Sequence, residues 1–198
     1  MMPGKLEYVA VVSVHHPFVW WKPMRYICAA IRFFTKSYWN HSAILVKEKG
    51  RSDYIVEMGA KGIERSEYVE WCEDKIIHVH KPTFKYDKQH MMLIISLLLK
   101  LKMKYDYRGT FWYQLLYSIG KFINRIFGTN IKWMGFTSAG RAAQKFYCSE
   151  LVAFLFHETS GFLEEWYKMS PSHLFEKMVY MGSDSRFHGE ASKMPLKL

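Results

Sequence analysis

Cysteine is scarce in this sequence, and the few that occur are not arranged as a disulfide framework. Cys28, Cys72 and Cys148 are odd in number and far apart, and none belongs to a C-x-x-C pair. Secreted domains that depend on disulfides carry even numbers of cysteines at regular spacings. We therefore expect free thiols and a reducing compartment.

Long apolar runs are also lacking. The longest, Met91 to Leu99, has nine residues, about half of what a membrane-spanning helix needs. The opening MMPGKLEYVAVVSV contains an acidic residue and no small-residue cleavage site after a long apolar core. It predicts a first strand and not an export signal. We expect a cytoplasmic protein, and peripheral contact with a membrane stays open.

Acidic residues are the minority among the charges. The 28 basic residues outnumber 18 acidic ones, giving a formal net charge of +10, which favours anionic partners such as a membrane surface, a cell-wall polymer or nucleic acid. The basic residues are scattered, however, as on an ordinary solvated surface. Because there is no zinc-finger spacing and no paired aromatic ribonucleoprotein motif, we expect no specific nucleic-acid partner.

Repeats, low-complexity tracts and linkers rich in Pro, Gly or Ser are absent from the 198 residues. We therefore expect one domain over residues 1–198, with a polar, loose tail from about residue 183. Apolar and β-branched patterns come early and helical patterns are interleaved and late, which predicts an α+β fold with a mostly antiparallel sheet. Strands are predicted over 8–14, 41–46, 54–58 and 75–82, and helices over 24–35, 87–104 and 149–157 and from Ser170 or Ser172. The stretch 105–144 could hold one or two amphipathic helices around Gly120 and then a loop.

The segment FYCSELVAFLF places Cys148 immediately before a strongly apolar helix. The unpaired N–H groups of a first helical turn, and the positive end of the helix dipole, favour thiolate over thiol. This position suits a nucleophile. A buried cysteine that simply packs is the alternative, and the position alone does not exclude it.

A nucleophilic cysteine needs a base, and His41 is the histidine best placed to be one. It opens a strand of small and apolar residues, where an imidazole has no packing purpose. With a turn centred near Gly50, residues pair when their numbers sum to about 100, so Ala43 faces Glu57 and His41 lies diagonal to that carboxylate on one face. Glu57 could instead be a solvent-facing residue of an edge strand.

Four segments together resemble the permuted papain-like cysteine hydrolases, in the YiiX-like branch of the NlpC-type superfamily: AAIRFFTKSYWNHSAILV, YIVEMGAKGI, FYCSELVAFLF and SPSHLF. The similarity covers most of the chain, from about Val11 to Leu174. It implies a permuted papain-like fold in which an antiparallel sheet packs against helices and the nucleophile lies at a helix N-terminus. Two departures stand out: SVHHPFVWW replaces a Gly-Asp pair common after the first strand, and residues 110–145 match nothing in the family.

The resemblance implies a Cys-His-Glu triad for acyl transfer without metal or cofactor. Cys148 is the nucleophile, His41 the general base and then acid, and Glu57 the group that orients the imidazole. The Cys148 backbone N–H is implied as oxyanion donor, with Tyr105 and Tyr147 as candidates for the second. Such a site requires a thiol that substrate can reach and a ring in contact with it.

We therefore expect an amidase or peptidase acting on amide bonds, for example in cell-wall peptides. A lipid-directed acyl hydrolase or acyltransferase at a membrane surface is the main alternative, since PFVWWKP with Arg25 and Arg32 could contact a membrane. The same loop could equally cover the active site. A catalytically inactive binding module of the same fold is a further alternative. A zinc site formed by Cys72, His78 and His80 is disfavoured because no fourth ligand is evident.

Overall fold

The computed structural model describes residues 6–16, 29, 38–73, 75–106, 124, 126–128, 145–163, 166, 169–180 and 184–188. The helix predicted over 24–35, the aromatic loop, Cys28 and nearly all of 107–144 lie outside the described residues. Predictions made for them stay predictions.

The strands of the described part are β1 (Leu6–His15), β2 (His41–Glu48), β3 (Tyr54–Gly59), β4 (Gly62–Glu67), β5 (Ile76–Lys81), β6 (Lys104–Tyr105), β7 (Lys145–Phe146) and β8 (Asp184–His188). Six of them form one antiparallel sheet in the order β4-β3-β2-β1-β5-β8, and β6 and β7 form a short parallel pair. The described helices are α1 (Tyr68–Cys72), α2 (Lys88–Leu101), α3 (Cys148–Ser160) and α4 (Pro171–Tyr180). The predicted α+β class, with an antiparallel sheet and helices, is confirmed.

Strand β1 lies in the interior of this sheet and is buried on both faces. Val9 and Val11 point into a core shared with α2 and α3, whereas Val12 and Val14 point to a smaller core on the other face. A strand covered on both sides reads as a continuous apolar run without alternation. This explains why the sequence of β1 shows no clean period of two. The side of the sheet that packs against α2 and α3 is the helix face, and the opposite side, which the buried Trp71 indole covers, is the Trp71 face.

The β2–β3 hairpin has the register expected from its turn. Ala43 pairs with Glu57 and Ile44 with Val56, and Gly50 in the turn has a φ of 75°. A left-handed residue at this point of a tight turn is suited to glycine, which has no side chain to clash. His41 and Glu57 therefore lie on the same face of the sheet, which is the Trp71 face.

The C-terminal end of α2 is tied to the strand that precedes the cysteine helix. The helix ends at Leu101, three residues before the predicted end, because Lys102 adopts left-handed geometry with a φ of 50°. The chain then forms β6, which pairs with β7. In addition, the Ile63 N–H donates to the Met103 carbonyl at 2.8 Å, so β4 is joined to the same segment.

Several features differ from the sequence prediction. Strand β4 and the short helix α1 that follows it were not predicted, and neither were the two-residue strands β6 and β7. The expectation of a loose tail is wrong for residues 184–188, which form β8 and pair with β5. A polar segment can form an edge strand because only one of its sides needs a partner strand.

No described helix has both the length and the apolar character that crossing a bilayer requires.

Candidate active site

Cys148 is the first residue of α3. The helix begins there because Tyr147 is extended, with φ −99° and ψ 170°, and because the Glu150 carboxylate accepts the Tyr147 N–H at 3.2 Å. The thiol thus lies beside first-turn N–H groups that no carbonyl within the helix can satisfy. One of them, the Ser149 N–H, donates to the sulfur.

His41 and Glu57 form a tight pair beside this thiol. The His41 Nε2 and Glu57 Oε2 atoms are 2.6 Å apart, and the imidazole also forms a hydrogen bond with Cys148. Because Nε2 is engaged by the carboxylate, Nδ1 is the ring nitrogen left for the thiol. The three residues singled out in the sequence are therefore in contact, in the order sulfur, imidazole, carboxylate.

Trp71 is a fourth residue of the candidate site, and it was not predicted from the sequence. Its indole Nε1–H donates to Glu57 Oε1 at 2.6 Å, so both carboxylate oxygens are held. Lys75 lies over the indole ring, 4.7 Å from its centroid, and its ammonium also donates to the Trp71 carbonyl. No periodicity marks Trp71 in the segment YVEWC, because α1 is only five residues long.

The pKa of the Cys148 thiol is lowered although the thiol is buried. Burial raises the pKa, but the charge of His41 and its hydrogen bond lower it more, and N–H donation from Ser42 and Ser149 adds to this. The pairing of β2 with β3 begins at Ala43. Ser42 therefore has no partner residue on β3, and its backbone N–H can donate to the sulfur. The site therefore stabilises a thiolate.

The pKa of His41 is raised and the pKa of Glu57 is lowered. Burial works to lower the pKa of His41, but the charge and hydrogen bond of Cys148, then those of Glu57, hold it well above its usual range. Burial works to raise the pKa of Glu57, but the hydrogen bond and charge of His41, with Trp71 and Lys75, lower it. The opposite shifts of Cys148 and His41 bring the pKa values of the thiol and the imidazole closer together and favour sharing of the proton between them.

Access to the sulfur is narrow. Cys148 is 2% exposed and His41 is 8% exposed, so this structure does not meet the requirement of a thiol that substrate can reach. An acyl group must displace covering atoms to reach the sulfur. Reactivity toward a small reagent is therefore the decisive measurement for this site.

The remaining histidines differ in their relation to the site. His16 lies close, with its ring centroid 5.4 Å from that of His41, and Asn40 fixes its backbone through hydrogen bonds of 3.0 and 3.2 Å. The rings of His78 and His80 have centroids 4.1 Å apart and are tilted by 51°, and both contact the ring of Phe175. Burial lowers their pKa values to about 4 and about 3, with the charge of His78 contributing to the second.

The zinc alternative does not fit this arrangement. His80 pairs with Val11 and His78 with Ser13, which places both imidazoles on the helix face. Cys72 packs against the core of the Trp71 face. The sheet therefore separates the sulfur from the imidazoles with which it would have to share a metal.

The two tyrosines considered as second oxyanion donors are buried members of the core on the helix face. Tyr105 is 8% exposed and Tyr147 is 5% exposed. The core contacts account for the position of both rings.

Replacing Trp71 with phenylalanine is expected to slow acylation of Cys148 by about tenfold, the usual worth of a hydrogen bond to a charged group. The indole N–H helps to hold the pKa of Glu57 down, so its loss raises that pKa. The acid limb of the pH–rate profile then moves to higher pH, which stopped-flow acylation measured across pH would detect.

Tyr68→Phe is the matched control for Trp71→Phe. Tyr68 lies on the same helix, but its hydroxyl bonds to Cys72 and not to Glu57. An equal effect of the two substitutions would mean that α1 supports the site only through packing.

Neither the protein-family models nor the curated proteins include a match to this chain. Membership of the permuted papain-like hydrolases stays a prediction from the motifs.

Proposed function

We propose that this protein is a cysteine-nucleophile hydrolase with a permuted papain-like fold, acting on an acyl bond. The observation that carries the proposal is the unbroken line of contacts from Cys148 through His41 to Glu57, which ends on Trp71. Each group in this line has the partner that its role requires. A thiol that merely packs has no need of an imidazole backed by a carboxylate.

The chemistry follows from the protonation states. The Cys148 thiolate attacks the acyl carbon, and the carbonyl π electrons move to oxygen, forming a tetrahedral oxyanion. The backbone N–H of Cys148 at the start of the helix is suited to stabilise that charge. Collapse of the oxyanion expels the leaving group, which takes a proton from the His41 imidazolium, and a thioester remains on Cys148.

The second half of the reaction regenerates the site. Neutral His41 takes a proton from water as the water oxygen attacks the thioester carbonyl, and collapse of this second intermediate releases the acid and the thiolate. Glu57 keeps a proton on Nε2, so that Nδ1 faces the sulfur throughout. We infer amides as the principal substrates, since an amine leaves only when it is protonated and the His41 imidazolium, which contacts the sulfur, can donate that proton.

A lipid acyl hydrolase or acyltransferase is the second candidate. It uses the same steps with an ester substrate, and with an alcohol replacing water in the transfer reaction. An exposed row of leucines on α2, described below, is the observation that favours it. An inactive binding module is disfavoured because no part of the triad is missing.

The proposal is tested with p-nitrophenyl acetate, an activated ester that reports nucleophilic cysteines whatever their natural substrate. We expect a burst of p-nitrophenolate of about one equivalent per chain, acetyl on Cys148 by peptide mass spectrometry, and its subsequent loss by hydrolysis. Cys148→Ala and His41→Ala should abolish the burst.

Acetylation spread evenly over the three cysteines, without deacylation, would contradict a hydrolase. Once the burst is established, peptide anilides compared with acyl esters and phospholipids separate the amidase from the lipid enzyme.

A further inference from the structure

Helix α2 carries an apolar row on the side that faces away from the core. Leu93, Leu97 and Leu101 are 57%, 48% and 67% exposed and are spaced by four residues, so they lie in line on one face. The core-facing side of the same helix is formed by other residues, among them Ile95 and Leu98. The three leucines belong to neither hydrophobic core of the described residues, and an exposed apolar row of this kind is typical of a contact surface.

The charged residues at the C-terminal end of the leucine row are all positive. Lys100, Lys102 and Lys104 are all exposed there, and the sequence from residue 88 to residue 105 contains no Asp or Glu. The acidic groups near the helix lie elsewhere: Asp87 caps its N-terminus, beside Glu158. The elements packed against α2 include β4, which contributes Glu64, Arg65 and Glu67 in mixed signs.

We propose that the leucine row and its three lysines dock the protein onto an anionic phospholipid surface. A helix of 14 residues is about 21 Å long and can lie in the interfacial plane with its leucines among the acyl chains. The lysines then meet the headgroups, which is the arrangement of an interfacial amphipathic helix. The proposal rests on exposure and charge alone and does not depend on the proposed function.

The C-terminal end of the leucine row is connected to the segment that precedes Cys148. Leu101 is three residues before β6, which pairs with β7, and Cys148 follows β7 after one residue. The segment that leads into the nucleophile is therefore held against the end of the row. A docked protein would have the chain segment that precedes Cys148 near the membrane surface, where lipid acyl groups are concentrated.

Co-flotation of the full chain with vesicles tests the proposal. We expect binding to mixed phosphatidylcholine–phosphatidylglycerol vesicles, weak binding to phosphatidylcholine alone, and weaker binding as salt is raised. Leu93→Gln/Leu97→Gln should lower the apparent affinity at least about tenfold, because two leucines lose their transfer into lipid. Lys100→Glu/Lys104→Glu should remove the preference for the anionic vesicles.

Val69→Gln is the matched control, since Val69 is 77% exposed on α1 and lies outside the row. All variants change exposed residues, so unchanged thermal unfolding confirms that they fold. A wild-type chain that does not float, or a Val69→Gln effect as large as that of the row variant, overturns the proposal.

A second copy of the chain is the competing occupant of the leucine row. Sedimentation velocity showing a dimer that Leu93→Gln/Leu97→Gln converts to monomer, without vesicle binding by the wild type, would identify a self-association interface and overturn membrane docking. Failure of docking leaves the p-nitrophenyl acetate burst unaffected. The two proposals can therefore fail separately.

Discussion

Alkylation of Cys148 by iodoacetamide at about pH 6 is expected to be fast in the wild type and at least about tenfold slower in His41→Ala. The imidazolium is the main reason that the pKa of this buried thiol is lowered. Without it, burial dominates and raises that pKa. The sign is therefore clear: removing His41 shifts the pH–rate profile to higher pH. Peptide mapping of the adduct at several pH values measures this shift for each cysteine.

Cys72 is the internal control for this experiment. Burial raises its pKa, and its neighbours Tyr68 and Lys75 only partly oppose this. Its alkylation should be slow near neutral pH and should not respond to His41→Ala. Slow, equal labelling of all three cysteines in the wild type would contradict an activated thiol at position 148.

The same experiment addresses the narrow access to the sulfur. If covering atoms must move before the reagent enters, the rate of labelling levels off at high iodoacetamide concentration, because opening becomes limiting. Direct access to the sulfur gives a rate that stays proportional to the iodoacetamide concentration. Either result, with the pH dependence above, supports a functional thiol, whereas a Cys148 that is labelled only on unfolding would exclude one.

Glu57→Gln is expected to lower the rate of acylation by about 10²- to 10⁴-fold, comparable to amide substitution in a serine protease triad. The indole of Trp71 can only donate, so it binds the carboxamide oxygen and turns the carboxamide NH₂ toward His41. Nε2 must then accept, and the proton moves to Nδ1, which faces the sulfur. An imidazole in this tautomer cannot take the thiol proton. The burst rate with p-nitrophenyl acetate measures the loss.

The role of Trp71 in this effect can be tested with a double variant. In Trp71→Phe/Glu57→Gln the carboxamide is free to turn its oxygen toward His41, so acylation should be faster than in Glu57→Gln alone. Glu64→Gln is the matched control, because Glu64 pairs with Glu57 across the β3–β4 ladder and is not part of the contact line. A loss of less than about twofold in Glu57→Gln, which is within ordinary surface effects, would remove Glu57 from the mechanism.

The pairing of His41 with Glu57 could be predicted because it is local. A tight turn fixes the register of its hairpin, and the period of two along each strand then decides which side chains share a face. The contact of Cys148 with this pair is long-range, and no pattern along the chain encodes it. It was expected only because the three residues suit one chemistry and because the motifs resemble a family.

Trp71 and β8 could not be predicted for a different reason. Trp71 reaches Glu57 only because α1 packs against the sheet. The sequence of a five-residue helix is too short to predict such a tertiary contact. Strand β8 has a polar sequence with weak strand propensity, and it forms because the edge of β5 is available to pair with it. In both cases the partner determines the local structure.

The order of the candidate catalytic groups along the chain has a consequence for biosynthesis. His41 and Glu57 lie 16 residues apart on one hairpin, whereas Cys148 follows more than a hundred residues after His41. During translation, His41 and Glu57 are therefore synthesised long before Cys148. A nascent chain that ends before residue 148 cannot contain this thiol, so any reactivity of the site arises only after β1 to β7 and α2 have been synthesised.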